Sequence, residues 1–318
     1  MSNRKPLPPA IFLMGPTASG KTGLAVWLRE RLPLDVISVD SALVYRGMDI
    51  GTAKPDARTL ERTPHRLIDI REPTESYSAS DFRDDALVEM ARITTSERIP
   101  LLVGGTMLYF RALSEGLADL PAASPLLRKR LEKEASRIGW GGMHERLEEL
   151  DPEVAARIHP NDPQRIQRAL EVIKLTGRKL SDLQREHRRA QEERCGYRIL
   201  RIVVCPKERK TLHSRIEKRF HNMLESGFID EMKRLHTRGD LHADMPSMRC
   251  VGYRQAWSWL EGEIDRQEMT EKTLAATRQL AKRQLTWLRQ DSEALWYDLD
   301  LDSARVSVQE TIAGFLEM

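Results

Sequence analysis

Short apolar runs alternate with segments of helical periodicity in the N-terminal third of the chain. Leu24, Leu28 and Leu32 recur at helical spacing until Pro33 ends the helix, and a second helix is predicted around 80–95. Four apolar runs have the length of buried strands: 10–14, 35–39, 100–105 and 199–205. Strands that alternate with helices predict right-handed crossovers and a parallel sheet, which the last run is expected to join.

The middle of the chain has helical patterns and no convincing strand. Ser124-Pro125 has the form of a helix N-cap followed by proline at the first helical position, and this helix is predicted to run to about 137. Asp162-Pro163 repeats the signal, and Gly177 is predicted to end that helix. Further helices are predicted over 207–226, 228–238, 251–260 and 270–289.

These patterns divide the chain into an α/β core and a helical insertion. We predict that residues 1–120 and 196–318 form the core, with additional helices in its C-terminal part, and that 121–195 form a helical insertion domain. No apolar run approaches the roughly 20 residues that a membrane helix needs, and the first residues lack the apolar stretch of a signal peptide. The three cysteines are far apart and form no C-x-x-C pair, so we expect a protein of the reducing cytoplasm.

The charge of the chain is balanced overall but uneven along its length. The net charge is only +3. Residues 178–219 carry 14 basic and six acidic side chains, and residues 278–289 carry four basic side chains and no acidic one. Such concentrations favour either a polyanionic partner or solvent-exposed helix faces, and charge alone does not decide between them.

A phosphate-binding motif follows the first predicted strand. The segment matches G-x-x-x-x-G-K-[ST], with a strand before it and an amphipathic helix after it. Backbone N–H groups in such a P-loop surround phosphate oxygens, the lysine supplies a cation, and the last hydroxyl can bind Mg²⁺, here through Thr22. The motif therefore predicts a site for a diphosphate or a triphosphate, and it leaves open whether ATP or another nucleotide binds there. The predicted diphosphate-binding residues are Gly15, Pro16, Thr17, Ala18, Ser19, Gly20, Lys21 and Thr22.

Two other strand ends are predicted to lie beside this loop, because ligands of open α/β sheets bind beyond the carboxyl ends of the strands. Asp40 follows the second strand, where it is suited to act as a general base, as a group near Mg²⁺, or merely as a helix N-cap. Thr106 follows the run that ends in two glycines and is suited to a phosphate contact or an ordinary turn. No apolar run ends in Asp-Glu to supply a carboxylate pair for water activation, so a transferase is favoured over a hydrolytic motor.

Six blocks of the chain together resemble the tRNA dimethylallyltransferase (isopentenyltransferase) family in its bacterial form. They occur in the expected order and span nearly the whole chain: GPTASGKT (15–22), DSALVYRGMDIGTAKP (40–55), LLVGGTMLYF (101–110), HPNDPQRIQRALEV (159–172), RCVGYRQAW (249–257) and TRQLAKRQLTWLR (277–289). The resemblance implies a P-loop NTPase-like parallel sheet core with a helical insertion. It also implies transfer of a dimethylallyl group from dimethylallyl diphosphate to N6 of the adenosine at position 37 of tRNA, with Mg²⁺ as cofactor and release of diphosphate.

The resemblance also assigns roles to particular residues. It implies that Asp40 is the general base and that Thr106 and Arg219 contact the diphosphate. We expect the enzyme to act as a monomer. The tRNA-binding residues implied by the family blocks are Asp40, Ser41, Ala42, Leu43, Thr106, Arg128, Gln164, Arg165, Ile166, Gln167, Arg168, Arg249, Cys250, Val251, Gly252, Tyr253, Arg254, Lys282, Arg283, Gln284, Leu285, Thr286, Trp287, Leu288 and Arg289.

Two other functions are compatible with a P-loop core. In a small-molecule or nucleoside kinase, Asp40 would deprotonate a hydroxyl for phosphoryl transfer. In a non-catalytic RNA-binding protein, a bound nucleotide would switch the affinity for RNA. The basic segments late in the chain argue against the kinase, and turnover with a prenyl donor would exclude the non-catalytic protein.

Overall fold

The computed structural model describes residues 6–190, 195–301 and 303–318, and it contains a six-stranded parallel sheet in the order β3-β2-β4-β1-β5-β6. Every pair of neighbouring strands is parallel, as the alternation of strands and helices predicts. The strands are β1 (Pro9–Met14), β2 (Leu34–Val39), β3 (His65–Arg66), β4 (Ile99–Gly104), β5 (Arg198–Val204) and β6 (Leu295–Tyr297).

Thirteen helices are found in the described ranges. They are α1 (Lys21–Arg29), α2 (Ala57–Arg62), α3 (Ala79–Thr95), α4 (Met107–Glu115), α5 (Pro125–Leu150), α6 (Pro152–Ala155), α7 (Pro163–Thr176), α8 (Leu180–Ala190), α9 (Arg209–Glu225), α10 (Phe228–His236), α11 (Tyr253–Leu260), α12 (Arg266–Leu288) and α13 (Ala304–Glu317). No helix of the described part is long and apolar enough to cross a membrane.

Both faces of the sheet are covered by apolar side chains, so β1 is buried almost throughout. Ile11 and Leu13 pack on one face with Leu24 and Leu28 of α1. Phe12 and its neighbours pack on the other face, in a larger core that includes side chains from α3, α4 and α10. A strand that is covered on both faces has a nearly continuous apolar sequence, and this signal allowed four of the strands to be predicted.

The chain separates into two compact units, Met1–Ser114 with Gly196–Met318, and Glu115–Cys195. The second unit is helical and has its own core, in which Leu131, Leu147 and Leu170 are fully buried. That these units are domains stays a prediction. The two cap signals are confirmed, because the side chain of Ser124 accepts a hydrogen bond from the Leu127 N–H and that of Asp162 accepts one from the Arg165 N–H.

The short elements of the sheet were not predicted. Strands β3 and β6 have two and three residues and lie at the two edges of the sheet. So few residues carry no periodicity, and the register comes from the neighbouring strand: Val36 pairs with His65, and Ile202 pairs with Leu295. Helix α5 continues past its predicted end, with a break at Gly139, whose φ is +74°.

Candidate active site

The carboxyl ends of β1, β2 and β4 lie at one edge of the sheet and bring the predicted loops together. The P-loop follows β1, Asp40 follows β2, and Thr106 lies two residues after β4. Thr106 connects the segment after β4 to the segment after β2. Its N–H donates to the Val39 carbonyl at 3.2 Å, and its Oγ1 accepts from the Ser41 N–H at 3.1 Å. The Thr106 hydroxyl proton is left to donate to a ligand.

The P-loop has the geometry of an anion-binding turn. Gly20 adopts φ +93°, a left-handed conformation that favours glycine, and α1 begins at the next residue. Lys21 folds back over the loop, and its Nζ donates to the carbonyl oxygens of Gly15 at 2.8 Å and Pro16 at 2.6 Å. The lysine therefore lies directly over the loop, where a phosphate would meet its charge.

Burial weakens the charge of Lys21 in the protein without ligand. Burial, and after it the neighbouring charge of Arg219, lower the pKa of Lys21 to about 7, although Asp40 acts in the opposite direction. A buried ammonium group next to another cation is unfavourable until an anion arrives. The loop is thus electrostatically prepared for a polyanion.

A cleft of about 480 Å³ opens over the P-loop and is strongly basic. Among the described residues, five cationic side chains line it and no carboxylate does. Besides Arg219, helix α9 contributes Arg215 and Lys218 to this lining. Arg305, in the first turn of α13, also lines the cleft, and sequence reasoning missed it. The cleft can hold a diphosphate and leave room for the group attached to it. Its lining residues are Ala18, Ser19, Gly20, Lys21, Thr22, Gly23, Arg215, Lys218, Arg219, Asn222, Leu299 and Arg305.

Arg219 lies in the wall of this cleft and is half-buried. Its Nη2 donates to the carbonyl oxygen of Thr52 at 3.0 Å, which fixes the guanidinium against a loop of the core. Burial lowers the pKa of Arg219, and the charge of Asp40 partly offsets this effect. Since the charge of Asp40 acts on both Arg219 and Lys21, the predicted base lies close to both cations.

Asp40 stabilises a turn with one carboxylate oxygen. Its Oδ1 accepts hydrogen bonds from the Ala42 N–H at 2.8 Å and the Leu43 N–H at 3.3 Å. The segment that it caps is a turn and not a helix, so the alternative of a helix N-cap is wrong in that detail. Oδ2 accepts no hydrogen bond from the described residues, which leaves one carboxylate oxygen for a proton.

Gln284 connects the P-loop to the end of β4. Its Oε1 accepts from the Thr17 N–H at 2.9 Å, and its Nε2 donates to the Gly105 carbonyl at 2.8 Å. A Cβ on Gly105 would collide with the Nε2 atom of this amide, so a larger residue there would displace the Gln284 side chain. The prediction that Gln284 contacts tRNA is therefore corrected: the side chain is buried and both ends of its amide are used inside the protein.

The other predicted tRNA-binding residues divide by exposure. Besides Gln284, four of them have little or no accessible side chain, namely Ile166, Gly252, Tyr253 and Leu288. In this structure these four residues offer no side-chain surface to a macromolecule. Nine of the predicted tRNA-binding residues are exposed, and for these the prediction stands: Ser41, Gln164, Arg165, Arg249, Arg254, Lys282, Arg283, Thr286 and Arg289. The rest are half-buried: Asp40, Ala42, Leu43, Thr106, Arg128, Gln167, Arg168, Cys250, Val251, Leu285 and Trp287.

In the helical unit, a buried carboxylate that the sequence did not reveal holds two of the predicted arginines. Glu171 has no exposed surface, and it accepts from Arg128 Nε at 3.0 Å and from Arg168 Nη1 at 2.6 Å. Burial raises the pKa of Glu171, but these bonds and that from the Ser124 N–H outweigh burial and leave the pKa lowered. Arg128 and Arg168 are thus oriented by the protein before any RNA arrives.

The donor set beside the P-loop fits a magnesium ion bound together with a diphosphate. Thr22 lines the cleft in the first turn of α1, and its hydroxyl makes no hydrogen bond within the described part of the chain. Mg²⁺ commonly takes one or two protein oxygens and completes its octahedron with phosphate oxygens and water. Among the described residues, no cluster of three or more His, Cys, Asp or Glu side chains is placed to hold a metal alone.

A family model described as IPP transferase matches residues 43–291, which is most of the chain. The chain belongs to the IPP transferase family. The matched range of this transferase contains Thr106, Arg219 and Gln284, whereas the P-loop and Asp40 precede it. The resemblance seen in the six sequence blocks is thus confirmed at the level of the family.

Solved structures similar to this IPP transferase support the same fold. The full-length tRNA isopentenylpyrophosphate transferase from Bacillus halodurans is 39% identical, with a TM-score of 0.71 and 97% of each chain covered. The tRNA delta(2)-isopentenylpyrophosphate transferase from Staphylococcus epidermidis is 33% identical, with a TM-score of 0.69, covering 98% of this chain and 99% of that one. A eukaryotic dimethylallyltransferase acting on tRNA is 25% identical, with a TM-score of 0.79, covering 96% and 78%. The predicted α/β fold class is confirmed.

Proposed function

We propose that this IPP transferase moves a dimethylallyl group from dimethylallyl diphosphate to N6 of the adenosine at position 37 of tRNA, with Asp40 as general base. The family makes the chain a tRNA prenyltransferase that uses a prenyl diphosphate. The observation that carries the finer proposal is the basic cleft over the P-loop, with the free carboxylate oxygen of Asp40 close to its cations.

The proposed reaction is an alkyl transfer in which one bond forms and one breaks. The N6 nitrogen of adenine attacks C1 of the allylic donor, and the bond from C1 to the diphosphate oxygen breaks. The electron pair of that bond leaves with the diphosphate, and the N6 proton passes to Asp40. An exocyclic adenine amine is a weak nucleophile because its lone pair is delocalised into the ring, so removal of its proton at the right moment matters.

The leaving group is stabilised by the residues over the P-loop. We propose that backbone N–H groups of the loop, Lys21 and Arg219 bind the diphosphate, and that Thr106 donates its hydroxyl proton to it. Thr22 would hold Mg²⁺, which neutralises part of the diphosphate charge. Each of these groups favours the departing diphosphate, which gains a negative charge as the bond breaks, more than the bound ester, and this difference accelerates transfer.

The acceptor is proposed to bind through exposed polar and basic side chains of α7 and α12. Gln164 and Arg165 open α7 in the helical unit, and Lys282, Arg283 and Arg289 lie along the C-terminal half of α12 and just beyond it. Contacts of this kind are made mainly to phosphates, and they position the RNA while base contacts select the target. The adenosine must leave the anticodon-loop stack to reach Asp40.

We propose that the enzyme acts as a monomer in the cytoplasm. The activity is tested with purified protein, Mg²⁺, unmodified tRNA and radiolabelled dimethylallyl diphosphate, followed by digestion of the RNA. We expect the label on adenosine 37, and none on the same tRNA with guanosine at that position. Absence of label, with a phosphorylated product formed from ATP in a parallel reaction, would favour a kinase instead.

Lys282→Gln is expected to weaken tRNA binding and to lower the log–log slope of affinity against salt by about one unit. Lys282 is exposed on α12, and no ion pair to it is found within the described ranges, so its charge is available to a phosphate. Filter binding over a series of salt concentrations measures the slope. Lys272→Gln is the matched control, because this lysine of the same helix pairs with Glu268 at 2.7 Å. A slope equal to that of the unmodified protein would place Lys282 away from the RNA.

A further inference from the structure

A buried carboxylate on α10 binds the loop whose Thr52 carbonyl contacts Arg219, a residue that lines the cleft over the P-loop. Glu231 is only 2% exposed. Its Oε2 accepts from the N–H groups of Asp49 at 2.9 Å and Ile50 at 2.7 Å, and its Oε1 accepts from the Gly51 N–H at 3.1 Å. The Tyr253 hydroxyl donates the fourth bond, at 2.5 Å, to Oε1. Three successive backbone N–H groups thus converge on one side chain.

The same loop is tightly packed on its other side. A Cβ on Gly51 would lie 2.7 Å from the ring of Tyr253 and would collide with the ring of Phe228. The Thr52 hydroxyl closes the turn by donating to the Met48 carbonyl at 2.7 Å. The loop from 48 to 52 is therefore closely packed, and Glu231 satisfies the N–H groups that it turns inward.

The carbonyl group that follows these N–H groups is the one that holds Arg219. Thr52 accepts from Arg219 Nη2 at 3.0 Å, one residue after the last N–H bound by Glu231. A shift of the loop would move this acceptor and release the guanidinium in the wall of the cleft. Glu231 itself does not line the cleft, so any effect on the donor has to pass through the loop.

We infer that Glu231 is a positioning residue for donor binding, which fixes the 48–52 loop so that Thr52 holds Arg219 toward the diphosphate. This inference rests on the proposed function, in which Arg219 binds the diphosphate. Burying a carboxylate without a cationic partner is costly, and no Lys or Arg pairs with Glu231 among the described residues. Four donors compensate this cost, and only a carboxylate has acceptors for all of them, because an amide nitrogen accepts none.

The first test compares Glu231→Gln with Tyr253→Phe, using inorganic diphosphate with Mg²⁺ as the probe in calorimetry. Glu231→Gln is expected to weaken diphosphate binding roughly tenfold or more, with one site per chain retained. Tyr253→Phe removes one donor and leaves the three loop N–H groups bound, so its affinity should stay within about twofold of the original. A merely structural role would lower the number of sites per chain without changing the dissociation constant, and that result would overturn the inference.

The second test is a double-mutant cycle with Arg219→Gln. If Glu231 acts through Arg219, Glu231→Gln should weaken diphosphate binding by less than about twofold once Arg219 is replaced. Full additivity would overturn the inference and leave the Arg219 assignment standing. If Arg219→Gln alone leaves the affinity unchanged, the proposed donor site is wrong in this residue and the inference fails with it. Should Glu231→Gln not fold, Glu231→Asp, which keeps the charge but shortens the side chain, takes its place in the same cycle with the same expected results.

Discussion

Asp40→Asn is expected to lower the rate of prenyl transfer by roughly 10²–10⁴-fold while leaving the affinities for tRNA and donor within a few-fold. A general base acts in the transition state, so its loss appears in turnover and not in binding. Asparagine is the informative replacement because its Oδ1 can still accept from the N–H groups of Ala42 and Leu43. Asp40→Ala would remove these bonds as well and would combine a loss of the base with a loss of the turn.

The measurement is a single-turnover rate with enzyme in excess over labelled donor. Asp56→Asn is the matched control, since Asp56 also caps its own segment, through a 2.7 Å bond from the Thr59 N–H, but lies at an exposed helix start away from the cleft. Its rate should equal that of the unmodified protein. An Asp40→Asn rate within about threefold of the original would remove Asp40 from the role of base, whatever its effect on binding.

The parts of the site that sequence reasoning located are those with local signals. The P-loop is a contiguous motif, and Asp40 and Thr106 each follow an apolar run that has the length of a buried strand. Once the strands are parallel, their carboxyl ends meet at one edge, so the meeting of these three segments follows from topology alone. The hydrogen bond from the Ser41 N–H to Thr106 Oγ1 shows that the segments after β2 and β4 are in contact, as this rule predicts.

The parts that were missed depend on pairings between segments far apart in the sequence. Gln284 reaches Thr17 across 267 positions, and Glu231 reaches the Asp49 N–H across 182. In the sequence, Gln284 and Glu231 are each a single polar residue of an amphipathic helix, and a solvent-exposed polar residue would give the same pattern. Gln284 was assigned to tRNA as a member of the family block 282–289, and nothing in the local sequence separates the side chain that points inward from those that point outward.

Lys21→Met is expected to abolish measurable donor binding and, in the protein without ligand, to raise the free energy of unfolding by about 1–2 kcal/mol at pH 7. The pKa of Lys21 is lowered from 10.5 to about 7, first by burial and then by Arg219, so folding works against its charged form. Methionine removes this cost, although the carbonyl groups of Gly15 and Pro16 lose their donor, which keeps the gain small.

The sign of the pH dependence distinguishes this cause from a general gain in packing. Between about pH 7 and 10.5 the unfolded chain binds a proton at Lys21 that the folded protein does not, so the stability of the unmodified protein should rise with pH over this window. The advantage of Lys21→Met should therefore be full below pH 7 and shrink toward pH 10.5. Thermal or urea unfolding at several pH values measures it. Lys218→Met, which removes an exposed cation of the same cleft, should give no such gain.

The same lowered pKa predicts how donor binding depends on pH. Above pH 7 the free protein must take up a proton at Lys21 to bind diphosphate with its full charge, so the affinity for the donor should fall by up to about tenfold per pH unit as the pH rises. Lys21→Arg keeps the cation, and a guanidinium stays charged throughout this range, so its affinity should vary much less. Calorimetry between pH 7 and 9 in buffers of different ionisation enthalpy reports the proton uptake directly. Equal affinities at both ends of that range in the unmodified protein would mean that Lys21 is already charged before the donor arrives.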